Sequence, residues 1–155
     1  MSDRSSRRAF DIFDDVVDRL VKAVAMEEDL HRAAMRDGEI YDSTCADTAM
    51  ASAISALECA VAQPCEQSLV SRTLFGALHT LNLAMMPQEA RDRSAALQRA
   101  ASHPVLQSID GGSAASAAVD ARLQRLRDLM ERLHVLNVCE PCDSSTEEPT
   151  PTPGV

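Results

Sequence analysis

Glu28 and His31 are acid/base-capable residues set in an otherwise apolar helical stripe. At 3.6 residues per turn, Phe10, Phe13, Val17, Leu20, Val24, Glu28, His31 and Met35 share one face. Burying a carboxylate there costs several kcal/mol unless it is paired, protonated or bound to a metal. Three readings follow. The pair is a site, or it is a polar contact inside the core. The third is that the helix outruns its partners, leaving its last turns partly wet, with the pair sharing a hydrogen bond or meeting an arginine.

A second Glu-x-x-His occurs at Glu131 and His134. Residues at i and i+3 lie on one helix face, the spacing that lets such pairs hold bridging metals inside a helical bundle. In this the sequence resembles part of the ferritin-like di-iron pattern. The resemblance implies an iron site with Glu58 and Glu66 as the lone carboxylates, and it covers a few spaced residues rather than the chain. The helical wheel opposes the full set. With Leu126 at the stripe centre, His134 lies about 80° away and Glu131 about 140° away. Of the expected contributions, only Glu28 with His31 is centred on its apolar face.

Cys139-Glu140-Pro141-Cys142 forms a C-x-x-C after the last helix. Redox motifs of this spacing open a helix, whose N-terminus lowers the thiol pKa, whereas this one closes a helix at its negative end. Zinc held by His134, Cys139 and Cys142 needs a fourth ligand from Cys45, Cys59, Cys65 or a partner chain. His79 and His103 have no nucleophile at catalytic spacing, and there is no phosphate-binding glycine loop. No catalytic set and no cofactor are expected, with iron or zinc as the alternatives.

The elements that must position these residues are helical. The apolar content is Ala, Leu, Val and Met, with no Trp and a single Tyr, so strand formers are scarce. Helix 1 is expected from about Arg8 to Arg36, capped by Ser5 or Ser6 and stopped at Asp37-Gly38. Helix 2 follows from Ser43 or Thr44 to Pro64, with Ala46, Met50, Ala53, Ile54, Leu57 and Val61 inward. Helix 3 spans Cys65 to Met85, with Val70, Leu74, Ala77, Leu78, Leu81 and Met85 inward. A weaker helix from Pro87 to Ala101 carries only a thin apolar edge. The last helix, Ser113 to Val138, bears Val119, Leu123, Leu126, Leu129, Met130, Leu133 and Leu136 on a stripe wide enough for two neighbours.

The fold expected is all-α, an antiparallel bundle of four main helices plus one short accessory helix. It occupies 8–140 as a single domain, between a flexible N-terminus at 1–7 and a disordered acidic Pro/Thr tail at 143–155. A net charge of −9 argues against nucleic acid as the main partner. No stretch is apolar enough for a membrane span. Five cysteines, an odd number, and the absence of an apolar leader point to reduced thiols in the cytoplasm, although the short polar start also permits a secreted bacterial effector. The functional expectation is therefore a non-enzymatic interaction module that binds another protein or itself, as in a homodimer. Its edge is expected at Leu30, Met35, Ile40 and Tyr41. The alternative is a metal-binding bundle.

Overall fold

The computed structural model describes residues 2–38, 42–64, 68–107 and 114–138. Among them all regular structure is helical: α1 (Ser2–Asp37), α2 (Thr44–Ala62), α3 (Leu69–Met85), α4 (Ala90–Ala101), a 3-10 turn (Pro104–Leu106) and α5 (Ala114–Val138). No described helix is long and apolar enough to cross a membrane.

α1 starts at Ser2 rather than near Arg8. Neither Gly nor Pro interrupts the stretch, so the hydrogen-bond ladder propagates past Ser5 and Ser6 instead of being capped there. Arg8 Nη2 donates to Gln63 Oε1 at 3.0 Å, and Ala9 is already buried. The helix stops where expected, with Gly38 at φ 68°, the left-handed conformation that glycine adopts without penalty. Ahead of α2, Asp42 Oδ1 accepts from the Thr44 backbone N–H at 2.9 Å, while Ser43 donates to Asp47 instead of capping. α3 begins at Leu69, later than expected, because Ser68 Oγ accepts from the Ser71 N–H at 3.1 Å and fixes the start. α4 likewise begins at Ala90 rather than at Pro87.

The core is continuous across all these elements. Phe13, Val17, Leu20 and Val24 of α1 meet Ala53 and Leu57 of α2, Leu74, Leu78 and Leu81 of α3, and Leu97 of α4. Val119, Leu123, Leu126, Leu129, Met130 and Leu133 of α5 complete it. Leu106 is fully buried as well: His103 Nδ1 accepts from the Val105 N–H and turns the 3-10 segment inward.

Chain directions follow from the polar contacts between helices. Arg8 reaches Gln63 and Arg19 reaches Ser52, so α1 and α2 run in opposite directions. Arg93 meets Asn137 and Ser94 meets His134, so α4 and α5 also oppose each other. Between α1 and α5 the ion pairs Asp14–Arg122, Asp18–Arg125 and Glu28–Arg132 advance together along both helices. α1 and α5 are therefore parallel, which departs from the expected antiparallel arrangement of the main helices. α4, a 12-residue helix, packs against α5 and runs opposite to it, and that extra reversal sets the direction of α5. As a result the C-terminal ends of α1, α3 and α5 and the N-terminal ends of α2 and α4 gather at one end of the molecule.

Candidate functional site

Burial in α1 ends at Val24, and every later residue of the helix is half-buried or exposed. The part of the stripe that carries Glu28 and His31 is thus partly wet. Glu28 is met by α5. Arg132 Nη2 donates to Glu28 Oε1 at 2.6 Å and Nε donates to Oε2 at 3.1 Å, a two-point fork. The hydrogen bond and charge of Arg132, with a smaller contribution from Arg32, hold the Glu28 carboxyl below its ordinary value against the opposing effect of burial. Glu28 in turn raises the Arg132 pKa. A similar fork joins Arg122 to Asp14 at 2.9 Å through both oxygens, with the Phe10 ring centroid 4.2 Å from the same guanidinium. Arginines of α5 thus hold α1 in register along its length.

His31 lies one turn further along the same face. It lines a partly open cavity of about 260 Å³ with Glu27, Met50, Ile54, Met85, Arg93, Leu133, Leu136 and Asn137. Each helix contributes to its wall. Arg93 is fixed there: Nε donates to Asn137 Oδ1 at 2.9 Å, and Nη1 donates to the carbonyls of Pro87 and Gln88 at 2.9 and 3.0 Å. Asn137 Nδ2 donates to the Leu133 carbonyl at 2.7 Å. These bonds rigidify the junction of α4 with the end of α5.

The second Glu-x-x-His separates its members. His134 Nδ1 lies 2.7 Å from Ser94 Oγ and 3.0 Å from the Ser94 carbonyl oxygen, while Glu131 and Glu58 are exposed. The His134 ring therefore serves as a polar contact between α4 and α5. Among the described residues, no group of three His, Cys, Asp or Glu is gathered closely enough to hold a metal ion. Cys45 and Cys59 are exposed free thiols. Glu66, Cys65, Cys139 and Cys142 lie outside the described residues.

Of the expected interaction edge, Leu30 is half-buried and Met35 is 87% exposed, whereas Ile40 and Tyr41 lie outside the described residues. The other large exposed apolar side chains are Leu69, Leu83, Met86, Val135 and Val138. All of these except Leu69 belong to the last turns of α1, α3 and α5 or the residue just after, at the end that holds the cavity. Met35 belongs to the edge expected from the sequence and Met86 to the methionines that add adaptable surface where exposed, whereas Leu83, Val135 and Val138 were not expected there. Leu83 and Val135 lie about 160–180° around their helices from the buried Leu81 and Leu126, so they are apolar residues on outward faces.

No family model matches the chain, and no curated protein or solved structure does either.

Proposed function

We propose that this chain is a non-enzymatic helical interaction module that receives another protein at the end holding the cavity. The scaffold in this reading is an all-helical bundle working in the cytoplasm. One observation carries the proposal: Met35, Leu83, Met86, Val135 and Val138 are exposed at the end that holds the cavity, whose wall joins Met50, Ile54, Met85, Leu133 and Leu136 to Glu27, His31, Arg93 and Asn137. Isolated surface apolar residues need no explanation, but several at the one end that also holds the cavity support an interaction site there. The ferritin-like alternative draws no comparable support, because both Glu28 oxygens are occupied by Arg132.

The test is site-specific photocrosslinking in cells of the source organism. A photoreactive residue at position 35, 86 or 135 should give a discrete adduct of the same partner, identifiable by mass spectrometry. The same residue at position 69, at the far end, should not. Adducts that are absent, or that are equal at both ends, would refute the module. An adduct of twice the chain mass would make the partner a second copy.

A further inference from the structure

We infer that the occupant of this end is a basic amphipathic helix of a different protein. The inference rests on the interaction-module reading and adds the chemistry of the partner. The cavity, about 260 Å³, is smaller than sites that enclose drug-sized ligands. Its apolar side, Met50, Ile54, Met85, Leu133 and Leu136, suits an apolar anchor from a peptide, the way a helix lays its apolar face into a groove, and Glu27 adds a carboxylate to the wall. Met50 and Met85 form part of its wall, and Met35 and Met86 are exposed at the same end. Unbranched thioether side chains repack readily around an inserted side chain.

Charge selects among partners. Asp42 and Asp47 at the start of α2, Glu89 and Asp92 at the start of α4, and Glu131 on α5 are all exposed at this end. Among the described residues, none of these carboxylates forms an ion pair. Against them stand the exposed Arg91 and, in the last turns of α1, the exposed Arg32 and Arg36, which pair with Asp29 and Asp37, while Arg93 is anchored within the wall. The C-terminal ends of α1, α3 and α5 add partial negative charge. Asp47 and Asp92, in the first turns of α2 and α4, offset the positive ends of those two helices. The end is acidic on a chain of net charge −9, so it repels nucleic acid, anionic lipid and a second copy of itself. It attracts lysine and arginine flanking an apolar stripe.

The experiment uses the full chain and four labelled peptides of equal length, read by fluorescence anisotropy. Three share one Leu/Met face and carry Lys, Gln or Glu on the other, and the fourth scrambles the Lys sequence to destroy the stripe. The Lys peptide should bind at least about tenfold tighter than the Gln peptide and weaken as salt rises, and the Glu and scrambled peptides should fail. Glu89→Lys with Asp92→Lys should weaken the Lys peptide by about tenfold and favour the Glu peptide. Met86→Glu should abolish binding, and Leu69→Glu at the far end should leave it unchanged. Circular dichroism confirms that each variant is helical. Equal binding of the Lys and Gln peptides would overturn the charge assignment and leave the module intact. Equal binding of the scrambled peptide, or no binding of the Lys peptide while crosslinks at positions 35 and 86 persist, would overturn the amphipathic-helix assignment alone. Loss of both peptide binding and crosslinks would remove the module as well.

Discussion

Glu28 tolerates its place in an apolar stripe because Arg132 supplies two hydrogen bonds and a counter-charge. The side chains are 25% and 36% exposed, so water screens the pair and its net worth is about 0.5–1 kcal/mol. A double-mutant cycle of Glu28→Gln and Arg132→Gln, measured by urea unfolding, should return a coupling of that size. The pH dependence has a definite sign. The folded Glu28 carboxyl titrates below its ordinary value of 4.5, so the unfolded chain takes up the proton first as pH falls. The stability difference between wild type and Glu28→Gln should be full above 4.5 and shrink as pH drops through the folded value. A difference that instead grew on acidification would show Glu28 buried without its partner. Glu28 was legible as an intruder in the stripe. Its partner lies 104 residues away in sequence, and no local pattern points to it.

At the scale of elements, apolar periodicity identified α1, α2, α3 and α5, and their inward residues are largely those found in the core. Starts were less legible, because a cap is decided by which side chain reaches which N–H. Ser68 won that competition for α3, whereas Ser5 and Ser6 did not interrupt α1. α4 was under-read for a different reason. Its packing on α5 uses the buried hydroxyl of Ser94 and the guanidinium of Arg93, which an apolar count ignores. The 3-10 turn makes a similar close contact with α3: a Cβ built at Gly76 lies 3.1 Å from Val105 Cγ2. Gly76→Ala alone therefore sets a helix-propensity gain of about 1 kcal/mol against the displacement of Val105, and should be neutral or destabilising. In a Val105→Ala background the same change should stabilise by about 0.5–1 kcal/mol, because the obstruction is gone. Thermal unfolding of the four variants decides it. An equal effect in both backgrounds would mean that Val105 does not limit the approach.

Direction is a property of the whole molecule, and counting helices could not supply it. Treating α4 as an accessory places α1 and α5 antiparallel. Its reversal makes them parallel, and the three ion pairs then gather the ends of the long helices on one side. Packing along α1 is accordingly uneven. Phe13, Val17, Leu20 and Val24 are fully buried, and nothing beyond Val24 is. Local stability follows buried contacts, and binding surfaces come from its low end. Native-state hydrogen exchange should therefore show α1 amides from Phe13 to Val24 opening only with global unfolding. Amides beyond Glu28 should exchange at least about tenfold faster, although they belong to the same unbroken helix. A bound partner helix should slow those distal amides and leave Phe13 to Val24 unchanged. Uniform protection along α1 would mean that the end beside the cavity is as rigid as the core. The methionines there would then offer a fixed shape to the partner instead of an adaptable one.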